Sequence, residues 1–281
     1  MQHERPIRIY GNDHSPWVQA VMLGLHEKNL AYVRSTVPSF EAFKKWGPMM
    51  PAAKFGDEPW FLESSSMLAR LGFTTVSGEE AAAIRLAWTG VMHRADSVPR
   101  FWREFSLASD PNHSIRRRLA SNFLRAFTVL YFFLLIRFGV LVRGYQDPPG
   151  HGDAFVYWDK RLGSQEGAYL AGAEPGSLDF LLFGIVQCHC SIPVPTVFSL
   201  QADPRLVEIR AWIARMQGRF CDYPYLYSGR YFRPHSLGPQ PATGADQVAF
   251  WLGALFSIVL LPVTLTTAAV FIYRNRHLRG I

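Results

Sequence analysis

The chain is 281 residues long, 49% hydrophobic, and carries a formal net charge of +7. That length accommodates two modest domains of roughly 100 to 200 residues each and excludes a small stapled peptide; the clustered Cys188, Cys190 and Cys221 exclude a disulfide framework and the secreted scaffolds built on one. Lys28, Lys44, Lys45, Lys54 and Lys160 are the only lysines among 29 basic residues, so the charge is mostly arginine and favours acidic surfaces.

The opening MQHERPIRIYGNDH lacks the apolar core of a signal peptide, which places the main body on the cytosolic side. IRIY, Ile7 to Tyr10, reads as a strand. Ser15 and Pro16 then stand ahead of an amphipathic run that puts Trp17, Val18, Val21, Met22 and Leu25 on one helical face. A serine before a helix with proline at its first position is ordinary capping chemistry. It is also how a helix N-terminus is made into an anion site.

AYVRSTV, AAKF and PWFL follow as short strands, and ESSSMLARLG as a helix whose Glu and Ser residues suffice to cap it. From Glu79 onward the pattern is mainly helical, with Ile84, Ala87, Trp88 and Val91 at helical spacing. The densest basic run, Arg116 to Arg118, precedes FLRAFTVLYFFLLIRFGVLV rather than a recognisable nucleic-acid fold. Lipid is therefore the favoured acidic surface and nucleic acid is not, a solvated helix face being the plain alternative.

The apolar segment Ala126 to Val142 is interrupted by Arg137 and flanked by Arg125 and Arg143; it spans a membrane, grazes one or packs as core. Cys188, His189 and Cys190 lack a second matching pair, so no metal is expected there and the residues pack or line a cavity. RPHSLGPQPATGADQ reads as an extended tether. Val248 to Tyr273 is uncharged and exceeds the roughly 20 residues that cross a bilayer as a helix. One transmembrane helix is expected, with Trp251 and Tyr273 as interfacial anchors and a kink at Pro262. Arg274, Arg276 and Arg279 after it resist translocation, which leaves the orientation open. No P-loop, dinucleotide fingerprint or nucleophile elbow is present.

Four stretches together resemble the soluble glutathione S-transferase family: SPW at Ser15 to Trp17, MPAAKFGDEPWFLESSSML at Met50 to Leu68, YLAGAEPGSLDFLLFG at Tyr169 to Gly184, and LVEIRAWIARMQGRF at Leu206 to Phe220. The resemblance implies a mixed α/β and all-α chain. A thioredoxin-like glutathione-binding domain would occupy residues 1–76 and a helical domain 77–232, with an apolar insert near 126–142. A linker at 233–247, a transmembrane helix at 248–273 and a basic tail at 274–281 would complete it. It keeps the soluble part together on the cytosolic side with one spanning helix, although charge counting alone would allow a two-helix hairpin.

The resemblance further implies that glutathione is the co-substrate, with no metal. Pro51 matches the family's cis-proline, with the Met50 backbone pairing with the cysteinyl part of the tripeptide. Glu63 and Ser64 match the pair that receives its γ-glutamyl end. Ser15 matches the hydroxyl that donates to the sulfur, favouring the thiolate over a thiol of pKa near 8.5. His14 and Tyr10 are weaker sulfur partners by position. Asp179 matches a structural capping aspartate; Gly176 stands where Ser or Thr is usual, so Ser177 or the Gly176 backbone takes over the cap. Ala53 in place of the usual leucine and WGPMM before Pro51 depart from the family pattern. Two functions remain open: a membrane-anchored enzyme activating glutathione toward apolar electrophiles, or a metaxin-like, non-catalytic adaptor in a membrane protein complex. Membrane lipid, favoured by the charge and the apolar runs, and a homodimer, suggested by the resemblance alone, are the further partners expected.

Overall fold

The computed structural model describes residues 6–92, 103, 106–109, 114–127, 130, 150–191, 195–232 and 240–274. The chain forms two compact units, one of Met1–Arg85, Ser164–Cys188 and Thr266–Ile281, the other of Leu86–Gly163 and His189–Leu265.

In the first unit, strand β1 (Ile7–Tyr10) lies parallel to β2 (Tyr32–Ser35), with Ile7 opposite Tyr32 and Tyr10 opposite Ser35. A parallel pair requires a crossover of a dozen or more residues, and helix α1 (Pro16–Glu27) supplies it. Strand β3 (Ala52–Lys54) runs antiparallel to β1, and β4 (Phe61–Leu62) antiparallel to β3, giving the order β2-β1-β3-β4. This is the thioredoxin-like arrangement expected, and IRIY, AAKF and PWFL each contain the strand read from them.

Helix α2 (Phe40–Trp46) was not anticipated. Its signal is Ser39, whose hydroxyl accepts from the Ala42 N–H at 3.2 Å as an N-cap, with Glu41 in the first turn. Helix α3 (Ser64–Arg70) starts where ESSSM predicts. Helix α1 is buried on more sides than its sequence stripe indicates, because Ala20 and Leu23 are covered together with Val18, Val21, Met22 and Leu25. Part of that cover comes from the helix Ser177–Ser191, whose Gly184 is so close that a Cβ there would collide with the Pro16 carbonyl oxygen.

The second unit is helical, with a core of fully buried Phe155, Trp158, Trp212, Ile213, Phe220 and Tyr223. The helix Asp153–Ser164 meets Val207–Arg219 where the Ile209 N–H donates to the Asp159 carboxylate at 3.0 Å. His189 is buried between Trp88, stacked at 6.1 Å, and Phe155, edge-on at 6.1 Å. Burial lowers its pKa from 6.5 to about 3 despite a backbone hydrogen bond at Ala87, and His151 adds to the lowering. The unfolded chain thus takes up this proton first as pH falls below 6.5, and stability drops by about 1.4 kcal/mol per pH unit from there toward the folded pKa. Urea unfolding of His189→Gln at pH 7 and pH 5 is expected to show a visibly flatter acid limb than the parent.

The run Val248 to Tyr273, read as one transmembrane helix, is instead two helices, Gly244–Val259 and Leu261–Arg274, bent by 76°. Among the described residues no single helix is long and apolar enough to cross a membrane. Pro262 is the physical reason: it offers no N–H to the Ile258 carbonyl, and its ring crowds the turn before it. The Leu260 N–H turns back to Ile258 and Phe256, closing the first helix. The expected linker is also shorter. Residues 233–239 lie outside the described residues, but Gln240–Pro241 pairs with Ala108–Ser109 as a small antiparallel ladder, and Thr243 caps the next helix reciprocally with Asp246. Asp246 is buried and also accepts from Arg118 at 2.9 Å and Asn122 at 3.1 Å. Of the apolar segment 126–142, Ala126 and Leu130 are buried; most of the rest, and the tail after Arg274, lie outside the described residues.

Candidate functional site

The register brings three sequence-predicted segments to one end of the four-stranded sheet. Tyr10 pairs with Ala52, and Ala52 with Leu62. Pro51, one residue before Ala52, is therefore flanked by the turn after Tyr10 on one side and by Glu63, one residue after Leu62, on the other. The Met50–Pro51 peptide is cis. The Asn12 N–H lies 3.4 Å from the Met50 sulfur, which ties the two loops together.

The turn from Gly11 to Ser15 is held from several directions. Gly11 donates to the Ser35 carbonyl at 2.9 Å and accepts from the Arg34 guanidinium at 3.2 Å. The same guanidinium pairs with buried Asp13 at 2.8 Å. The His14 N–H donates to the Asn12 side-chain oxygen at 3.2 Å, and the Gln19 amide to the Asp13 carbonyl at 2.6 Å. These contacts fix the chain where it enters α1.

Ser15 is the N-cap residue of that helix, with extended φ −77° and ψ 129°, yet its side chain makes no capping hydrogen bond. The residue is 7% exposed, and its Oγ is buried without a hydrogen-bond partner. A hydroxyl left in that state costs about 1 to 3 kcal/mol, which calls for a specific reason. Its position at the positive end of a 12-residue helix supplies one, because a polarised donor there suits an anion.

The Tyr10 side chain is buried at the end of β1. Its hydroxyl donates to the Pro48 carbonyl at 3.2 Å, and burial pushes the phenol pKa above its ordinary range. Glu63 has φ +92°, rare for a residue with a side chain. Its carboxylate accepts from the N–H groups of Ser65 at 2.9 Å and Ser66 at 2.7 Å and from both of their hydroxyls. Glu63 thus serves its own helix as a cap, whereas Ser64 beside it is fully buried. Among the described residues no group of His, Cys, Asp or Glu is arranged to hold a metal ion.

The helix Ser177–Ser191 supports the site from behind. Asp179 is fully buried and accepts three backbone N–H groups, from Leu170 at 2.8 Å, Ala171 at 3.1 Å and Gly176 at 3.0 Å. The bond from Gly176 resolves the choice of cap, because the Ser177 Oγ is buried without a hydrogen bond. Glycine stands at 176 since a Cβ there would collide with that of Ala171. Gly184 was not singled out in the sequence; its signal was a lone glycine inside the apolar run DFLLFGIV. Phe73 and Phe180 complete the contact edge-on at 4.8 Å.

No protein-family model matches the sequence, and neither does any curated protein. Among solved structures the chain is similar to a glutathione S-transferase from Pseudomonas fluorescens, at 17% identity over 79% of this chain and 100% of that one, with a TM-score of 0.45. A theta class glutathione S-transferase from Xanthomonas axonopodis pv. citri with glutathione bound gives 18% identity over 83% and 100%, with a TM-score of 0.42. Rice GST1 in complex with glutathione gives 14% identity over 90% and 99%, with a TM-score of 0.45.

Proposed function

We propose that this protein binds glutathione at the end of its four-stranded sheet and presents the sulfur as a thiolate to an apolar electrophile. The observation that carries the reading is the buried Ser15 hydroxyl, without a hydrogen-bond partner at the mouth of α1. The hydroxyl would donate to the sulfur, and the helix end would favour the anion over the thiol. The thiol proton leaves to solvent, the sulfur lone pair forms the new carbon–sulfur bond, and the electrophile's leaving group departs with its electron pair. The Met50 backbone beside cis-Pro51 would align the cysteinyl part of the tripeptide, and the Ser64 region its γ-glutamyl end.

The committed carboxylate of Glu63 favours a second reading, in which the fold is kept as a non-catalytic adaptor within a membrane protein complex. Thermal unfolding with and without glutathione separates the two. At about 10 mM glutathione and a millimolar Kd, the bound state gains about 1.4 kcal/mol, enough to raise the melting temperature measurably. A rise is the expected result, together with a conjugate formed from a model aryl halide. An unchanged melting temperature would remove the enzyme reading and leave the adaptor.

A further inference from the structure

The helix Gly244–Val259 is apolar on both sides. Its inner side is taken up by protein: Phe250, Ala254 and Ser257 are buried, and Gly253 is so near Phe123 that a Cβ would collide with the Phe123 carbonyl. Its outer side carries Val248, Trp251, Leu252, Leu255 and Val259, all exposed, at the i, i+3, i+4, i+7 and i+11 spacing of a single stripe. Leu255 is 60% and Val259 68% exposed, and Val263 beyond the bend is 66% exposed. An outward stripe on a water-facing helix is normally polar. A continuous apolar one marks an interaction surface.

Charge identifies the partner. From Gln247 to Ile281 the sequence contains Arg274, Arg276 and Arg279 and no acidic residue. The last acid, Asp246, is buried and paired with Arg118. An acid-free apolar stripe with Trp251 exposed on it, followed in the sequence by arginines, complements the acyl boundary and anionic headgroups of a bilayer.

The geometry also sets how the chain meets that bilayer. The straight part, at 16 residues, is about 24 Å long, short of the roughly 30 Å hydrocarbon core. Within the first unit, the Phe271 ring packs against Gly47 and lies 5.7 Å from that of Phe43, so the chain after the break is in contact with protein. We infer that the helix Gly244–Val259 lies in one leaflet of an anionic membrane as a monotopic element, its exposed apolar stripe in the acyl boundary, so that the chain before it and the chain after it stay on the same side. The inference is independent of glutathione binding.

Flotation of the purified full chain with sealed vesicles tests it. The chain is expected to float with phosphatidylcholine vesicles containing roughly 30% phosphatidylserine and to bind phosphatidylcholine alone about tenfold less. The double variant Leu255→Glu, Val259→Glu should lose about tenfold in binding while keeping its circular dichroism spectrum and its melting temperature without lipid. In a Cys221→Ser background, single cysteines placed at Gln247 and at Tyr273 should both react with an impermeant maleimide added outside the vesicles. Absence of vesicle binding, or binding indifferent to the double variant, overturns the inference. Protection of one of the two cysteines overturns it in favour of a spanning segment. Self-association without lipid that the double variant abolishes overturns it in favour of a second copy.

Discussion

Ser15→Ala is expected to lower kcat/KM for glutathione conjugation by about 100- to 1000-fold, the range found when a preorganised donor to an anion is removed. The loss should be largest near neutral pH. Without the donor the bound thiol drifts back toward its free pKa near 8.5, so the rising limb of the pH–rate profile moves up by roughly one to two units. A purely capping serine predicts something different, namely a stability loss of about 1 kcal/mol. Here the hydroxyl caps nothing, and its removal deletes a buried group without a hydrogen bond. Unfolding free energy should therefore stay within about 0.5 kcal/mol of the parent, or rise. A variant that keeps full activity removes Ser15 from the mechanism; one that loses about 1 kcal/mol of stability with unchanged kinetics returns it to a capping role.

Asp179→Ala is expected to destabilise the chain by about 3 to 5 kcal/mol, a large fraction of the roughly 5 to 15 kcal/mol that holds a domain together. The carboxylate gathers three backbone donors from two places in the chain, Leu170 and Ala171 on one side and Gly176 on the other. Alanine would leave all three unpaired at a buried position. Asp179→Asn should recover only part of the loss, because one of its two side-chain positions becomes an NH2 facing backbone donors. Denaturant unfolding measures the stability change. The site should register it too: the helix that Asp179 anchors carries Gly184, which abuts the Pro16 carbonyl at the start of α1. A raised KM for glutathione in Asp179→Asn would show that coupling, whereas an unchanged midpoint of unfolding would sink the anchoring role.

Much of the first unit was legible in the sequence because its signals are local. The runs IRIY, AAKF and PWFL formed strands, SPW opened a helix, and the order of SPW, the Met50–Pro51 step and ESSS located the three segments that the sheet register brings together. Helix α2 was passed over although Ser39 and Glu41 marked its start. It is only seven residues long, with Ala42 and Trp46 buried but Phe40 and Phe43 exposed, so its apolar residues do not trace one clear helical stripe. The end of the chain misled for a related reason. Twenty-six uncharged residues satisfy a length and hydropathy test whether or not they form one straight helix, and Pro262 decided that they do not.

The sequence alone determined the cap residues, the strand and helix periods and the composition of the apolar C-terminal run, since each depends on neighbours within a turn or two. Whether the Ser15 hydroxyl would cap its helix or remain without a partner, whether Glu63 would face outward or serve Ser65 and Ser66, and which residue would cover the back of α1 were decided only in the fold. Gly184 lies 168 positions beyond the Pro16 carbonyl it abuts. A contact at that separation leaves no periodicity in either segment, because it arises from two backbones meeting and not from the preference of either one.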